Sequence, residues 1–185
     1  MNPRHMHYEK LAFSFLTPGC TVSFGGSMTL EDTGMLTALR HDPGITLLDR
    51  AQTKTPEETK KIYHDALSAD FYFMSTNAIT KDGELVNIDG TGNRVASLIY
   101  GPEHVIVMAG MNKVAANVDE ALSRVHGTAT PMNCKRLGKN TPCSATGVCS
   151  DCLSPDCICN QVVITRRSGI EGRIKVILIG EELGY

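Results

Sequence analysis

No apolar run in this chain is long enough to cross a membrane. The longest, Ile174 to Ile179, is interrupted by Lys175, and a spanning helix needs about 20 mostly apolar residues. Charge of neither sign dominates either. The 18 Lys and Arg stand against 20 Asp and Glu, a formal net charge of −2, so bulk electrostatics favours neither nucleic acid nor an anionic membrane. No charged leader with an apolar core and a small-residue cleavage site opens the sequence, which points to the cytoplasm. The signatures G-x-S-x-G and H-E-x-x-H are also missing. Their absence removes the familiar nucleophile and zinc-protease designs and leaves other catalysis open. With no repeat period and no low-complexity linker, 185 residues read as one core.

What is present alternates between strand and helix signals. Thr21 to Phe24 reads as a strand that stops at Gly25-Gly26, and a helix starts near Ser27 with Met28, Leu30, Met35, Leu36 and Leu39 at helical spacing. Ile45 to Leu48 is a short strand. Thr55-Pro56-Glu57-Glu58 is a helix start, with Thr55 as N-cap, proline in the first turn and Glu58 closing a capping box. Asp70 to Met74 is a strand, and Asp82-Gly83 is the turn of a hairpin. A helix through Val95 and Ile99, a strand over Glu103–Ala109 and a helix over Val114–Val125 follow. Gln161–Arg166 and Arg173–Ile179 close the chain as strands. The pattern predicts an α/β fold, a mostly parallel sheet flanked by helices with short antiparallel additions. Residues 1–10 lack periodicity, so His5 and His7 read as part of a frayed end rather than a metal site.

Two glycine loops follow predicted strands, where α/β sheets bind ligands. In the first, Gly25, Gly26 and Ser27 allow a sharp turn and present backbone N–H groups to an anion. In the second, Asp89, Gly90, Asn93 and Arg94 bring a carboxylate, an amide and a guanidinium together. Thr76 and Asn77 end the strand between them and line the same crevice. Asp89 is the candidate acid/base and Glu31 the runner-up. The plainer reading makes Gly25-Gly26 a tight turn, Ser27 an N-cap and Asp89 a turn former. Neither loop is a phosphate-binding Walker loop or a complete dinucleotide fingerprint.

Six of seven cysteines fall between Cys134 and Cys159, within a segment, 128–160, rich in Cys, Pro, Gly and Asn. Cys143, Cys149, Cys152, Cys157 and Cys159 are enough thiolates for tetrahedral zinc or an iron–sulfur cluster. Free thiols, or a redox pair at Cys149 and Cys152, are the competing readings. Cys20, inside a strand, reads as core. His41 and His64 close helices and complement their dipoles.

The stretches Ser23–Thr29, Met74–Ile79, Asn87–Arg94, Ala109–Lys113, Thr141–Asn160 and Arg173–Ile179 resemble the LUD domain family of lactate-utilization proteins. The resemblance implies a fold like that of CoA-transferases and ribose-phosphate isomerases. It also implies a link to lactate oxidation beside iron–sulfur subunits. The ligand it implies is a small anion, lactate-related, phosphorylated or CoA-linked. Cys143, Cys149, Cys152 and Cys159 match the family's cysteine motif, which implies an iron–sulfur cluster or zinc. Cys157 stands where the family often has arginine. Family members carry further helices before the first strand, so residues 1–19 are set apart as a truncated or partly disordered segment. Residues 20–185 form a single domain including the cysteine-rich loop 134–159. The short N-terminus suggests a homodimer. An accessory subunit of an iron–sulfur oxidoreductase, or an isomerase or CoA-transferase-like enzyme, are the alternative functions.

Overall fold

A computed structural model describes residues 5–185, with side chains from His7 onward. The side chain of His5, read from the sequence as part of a frayed end, lies outside the described side chains. Helix α1 (His5–Phe13) precedes strand β1 (Thr21–Phe24). Then come α2 (Met28–Asp32), α3 (Met35–His41), β2 (Thr46–Leu48), α4 (Pro56–Asp65) and β3 (Phe71–Met74). A hairpin of β4 (Ala78–Thr80) and β5 (Leu85–Asp89) leads to α5 (Asn93–Ile99), β6 (His104–Gly110) and a two-residue strand β7 (Val114–Ala115). The chain ends with α6 (Val118–Arg124), α7 (Thr130–Arg136), α8 (Pro142–Thr146), β8 (Gln161–Thr165) and β9 (Ile174–Ile179).

Five strands form a wholly parallel sheet in the order β2-β1-β3-β6-β9. Its central strands β1, β3 and β6 are buried on both faces, while the edge strands β2 and β9 are partly exposed, as at Val176 and Leu178. Phe71 and Phe73 join Val22, Phe24, Ile106 and Met108 under α1, α2 and α3, through Ala12, Leu30, Met35, Leu36 and Leu39. Tyr72 and Met74 face the other way, with Val105 and Val107, against Ala66 and Leu98. A second, mixed sheet, β7-β4-β5-β8, covers part of that face. Ile79 and Leu85 pack inward on the parallel sheet, while Ala78, Val86 and Ile88 pack outward on α6. The architecture is the expected α/β arrangement with a mostly parallel sheet, and the antiparallel addition is this second sheet.

Local chemistry sets the element starts. Thr55 Oγ1 accepts from the Glu58 N–H at 3.1 Å while Glu58 Oε2 accepts from the Thr55 N–H at 3.3 Å, completing the capping box of α4. The Asp82-Gly83 turn joins β4 to β5, with Gly83 at φ +88. Several expectations differ from the structure. The helix after Ser27 breaks into α2 and α3 at Gly34 (φ +76), because Thr33 Oγ1 donates back to the Thr29 and Leu30 carbonyls and ends the first piece. The helix expected from Val114 starts only at Val118, where Asn117 Oδ1 caps the Glu120 N–H; Val114 and Ala115 pair with β4 instead. The segment after residue 128 is not one irregular loop. A π-helical turn, Val125–Ala129, joins α6 to α7 and absorbs Pro131, which has no N–H to donate. The segment before Cys20 is also partly built in, since Ala12 of α1 is fully buried in the core.

Candidate functional site

The carboxyl ends of all five parallel strands open onto one crevice of about 440 Å³. Gly26, Ser27 and Met28 follow β1, Arg50 follows β2, and Ser75, Thr76 and Asn77 follow β3. Lys113 follows β6, and Tyr185 ends the tail after β9. The opposite wall carries Asp89, Gly90, Asn93 and Arg94 from the second glycine loop and Thr130, Asn133 and Arg136 from α7. Both glycine loops therefore meet at the place where open parallel sheets bind ligands. Gly25 is buried beneath the first loop, and Glu31 is exposed and does not line the crevice.

Arg94 is a clamp. Its Nη1 donates to Asn87 Oδ1 at 2.6 Å and to the Ser75 carbonyl at 3.0 Å. Its Nη2 donates to Asn77 Oδ1 and to the Ile88 carbonyl, each at 2.8 Å, and its Nε lies 3.4 Å from Asp89 Oδ2. All five guanidinium donors are thus directed at protein oxygens, and the strands β3 and β5 are tied together through one planar group. Burial pulls the Arg94 value down, with Asp89 holding it up. The aliphatic stem of Arg94 lies against Gly25, where a Cβ would come within 3.1 Å of Cγ and Cδ. A side chain at Gly25 would push this clamp away.

Asp89 is 8% exposed and both oxygens are committed: Oδ1 accepts the Gly92 N–H at 2.9 Å, and Oδ2 faces Arg94. This is the turn-forming role. Ser27 is the N-cap of α2, its Oγ accepting from the Leu30 N–H at 3.3 Å. Asn77 accepts from the Ile88 N–H and from Arg94 through Oδ1, and among the described residues its Nδ2 has no partner.

Two basic residues that sequence reasoning did not assign to the site are central to it. Arg50 donates from Nη1 to Tyr63 Oη at 3.3 Å and stacks over that ring, while its Nη2 lies directly over Gly26. Gly26 has no Cβ to block it. Lys113 is 4% exposed, and its Nζ donates to Ser75 Oγ at 3.1 Å and to the Thr76 carbonyl at 3.3 Å. Burial first, and then the cations Arg124 and Arg94, lower it from 10.5 to about 7. Lys113 was legible only as part of a family-like stretch; nothing in its local spacing marks it. Arg50 is a lone basic residue after a three-residue strand. Together with Arg94, Arg136 and Lys139 they give the crevice five basic side chains, and Asp89 is the one acidic side chain among its described lining residues.

The cysteine loop forms part of the same wall. Cys157 and Ile158 line the crevice, a Cβ at Gly90 would sit 3.3 Å from the Ile158 backbone, and Asn160 Nδ2 donates to the Gly90 carbonyl at 3.0 Å. Cys157 and Cys159 sulfurs are 2.8 Å apart. Cys149 sits 3.5 Å from His126 Nδ1, a partner the sequence did not suggest. Cys143 is buried, 3.3 Å from the Thr141 hydroxyl. Burial, then Cys157, pushes Cys159 up to about 12, and burial pushes Cys134 up to about 11. Among the described residues no three Cys, His, Asp or Glu side chains converge on a common point. As arranged, the four cysteines of the family motif do not fit zinc or a cluster.

No helix among the described residues is long and apolar enough to cross a membrane. No curated protein sequence matches the chain. Solved structures with similar folds include a tetrameric eIF2B-beta2-delta2 complex from C. thermophilum, with 18% identity and a TM-score of 0.41 over 62% of this chain and 43% of that one. Ribose 5-phosphate isomerase A from Methanocaldococcus jannaschii shows 14% identity and a TM-score of 0.38 over 63% and 56%. The chain thus spans about half the length of these structures. A DUF162 family protein from Deinococcus radiodurans is covered more fully, with 11% identity and a TM-score of 0.37 over 95% of this chain and 94% of that one. The LUD domain model matches residues 8–179, nearly the whole chain, and the protein belongs to the LUD domain family.

Proposed function

We propose that the protein binds a small organic anion in the crevice at the carboxyl ends of the parallel strands, in a role of the lactate-utilization kind that its family membership suggests. The observation that carries this reading is the charge of the lining: Arg50 and Arg136 have no carboxylate partner among the described residues, and Asp89, the one acidic side chain in the lining, is already spoken for. In a partly enclosed site such an excess favours a carboxylate or phosphate far more than it would in open water. Arg50 over Gly26 and Arg136 on α7 are the cations placed to meet the anion. Asn77 Nδ2 and the Gly26–Ser27 backbone supply further donors. Arg94 acts one step back, holding Asn77, Asn87 and Asp89 in place. Asp89 is retained as the acid/base candidate only in the sense that its carboxylate borders the ligand space. No step is routed through a metal, because the cysteine side chains do not converge.

Calorimetric titration tests this without an optical probe, which suits a chain with no tryptophan. Lactate, pyruvate and inorganic phosphate are titrated against the wild type and Arg50→Ala. The expected result is saturable binding of at least one of these anions. Removing a charge-assisted partner weakens it by about 1.5–3 kcal/mol, roughly 10- to 100-fold. Absence of binding for every anion, or unchanged affinity in Arg50→Ala, would contradict the proposal.

A further inference from the structure

Lys113 is the buried group that anion binding alone leaves unexplained. A buried lysine is ordinarily paired with a carboxylate. Among the described residues Lys113 has no such ion pair. Arg94 and Arg124 are its charged neighbours, with Asp32 a weaker opposing influence. Arg124 is itself turned away, its Nε and Nη1 donating to the Asn112 and Asn77 carbonyls at 2.8 and 2.6 Å. An amine packed this way, lowered to about 7, is neutral in a large fraction of molecules at neutral pH, the condition for nucleophilic attack.

The hydrogen bonds around it also fix where its lone pair goes. The Leu183 carbonyl can only accept, so Thr29 Oγ1 donates to it at 3.2 Å. Thr29 Oγ1 is then an acceptor for Ser75 Oγ, at 3.3 Å. Ser75 Oγ spends its one proton on Thr29 Oγ1 or on the Thr76 carbonyl, each 3.3 Å away, so it accepts from Lys113 Nζ at 3.1 Å, and the Thr76 carbonyl accepts a second N–H at 3.3 Å. A neutral amine has two N–H bonds and one lone pair. Both N–H bonds are therefore committed to the protein, and the lone pair is the part left for the crevice that Lys113 lines.

We infer that Lys113 is a nucleophilic amine that forms an imine with a small anion bearing a ketone or aldehyde carbonyl. The inference rests on the anion-binding reading of the same crevice and narrows its ligand class. The Nζ lone pair attacks the carbonyl carbon and the oxygen takes up a proton, giving a carbinolamine. Loss of the remaining N–H proton and of hydroxide, together one water, leaves the C=N bond. No oxidant or reductant is needed. The anionic end of the ligand would meet Arg50 while its carbonyl reaches Nζ. The anion could be a 2-oxo acid or a keto phosphate, and the two are separated by the test.

The full chain is incubated with pyruvate, dihydroxyacetone phosphate or lactate and treated with borohydride, and the lysine-containing peptides are mapped by mass spectrometry. Calorimetry is run in parallel on the same ligands. The expected result is a reduced adduct on Lys113, equal to the mass of the carbonyl compound less one oxygen atom. Its yield should exceed that at any other lysine by at least about tenfold, because ordinary lysines are almost wholly protonated at neutral pH. Lactate, which has no carbonyl, should give no adduct. Which of the two carbonyl compounds is trapped identifies the class. Lys113→Arg has no attacking amine and should abolish trapping, and the wild-type peptide map stands even if that variant does not fold. Binding of a carbonyl compound without trapping, or labelling spread evenly over the lysines, would overturn the imine while leaving the anion site intact. No binding and no trapping would overturn both.

Discussion

Arg94 supports the most direct stability prediction at the level of single residues. Arg94→Lys keeps the charge but cannot reproduce five donors in a plane, leaving the Asn77 and Asn87 carbonyl oxygens and the Asp89 carboxylate short of partners. Leaving a buried acceptor unsatisfied typically costs about 1–3 kcal/mol. Urea unfolding of this variant should show a loss of that order, and a loss under about 1 kcal/mol would show that the clamp is dispensable. Gly26→Ala should behave in the opposite way. Its new Cβ meets only the far end of Arg50, a flexible side chain, so stability should hold while anion affinity falls. Lys113 makes stability depend on pH. Its value is 10.5 when free and about 7 in the fold. The unfolded chain therefore binds the extra proton across that window, and stability rises with pH through it. Cys134 and Cys159, raised by burial from 9.0 to about 11 and about 12, act in the other direction: their contribution is whole below pH 9 and is lost above it. The urea midpoint should climb from pH 7 to about 8.5 and turn down beyond 9, and Lys113→Met should remove the climb. A flat wild-type profile over that range would contradict the burial of a neutral amine. Gly26, Ser27, Asp89 and Arg94 were legible in the sequence because turn and capping chemistry is local. Arg50 and Lys113 were not, because a lone cation gains its meaning from where its strand ends.

At the level of elements, the strands and the capping box could be read from the chain, since strand alternation, Asp82-Gly83 and Thr55 to Glu58 are short-range signals. The junction of α6 and α7 could not. Gly127 and Pro131 look like helix breakers, and only a π-helical turn reconciles them with a continuous run from Val118 to Arg136. That turn matters because it brings Thr130, Asn133 and Arg136 to the crevice. The cysteine segment forms the crevice wall beside Gly90. Its arrangement orders the thiols by reactivity. Cys20, Cys134 and Cys143 are buried, and Cys159 is held protonated, so iodoacetamide should label Cys149, Cys152 and Cys157 first. A bound anion should slow Cys157, the one of these three that lines the crevice, and leave Cys149 and Cys152 unchanged. Equal protection of all three, or of none, would separate the loop from the ligand site.

For the molecule as a whole, the fold explains why two distant glycine loops act together. The parallel sheet gathers the carboxyl ends of five strands at one edge, and the second sheet, packed on its face through Ile79 and Leu85, carries Asp89 and the second glycine loop to the same edge. The strand pattern foretold this class of fold. The pairing of β5 with β8 and the closeness of the cysteine loop to Gly90 depend on contacts some 70 residues apart in sequence, which no local signal encodes. The most direct test of the central claim is a crystal structure of the full chain grown with a saturating small 2-oxo acid or phosphate. The account predicts the anion in the crevice, within hydrogen-bond distance of Arg50 and of the Gly26–Ser27 backbone. An anion bound elsewhere, or a crevice holding only water at saturating ligand, would contradict it.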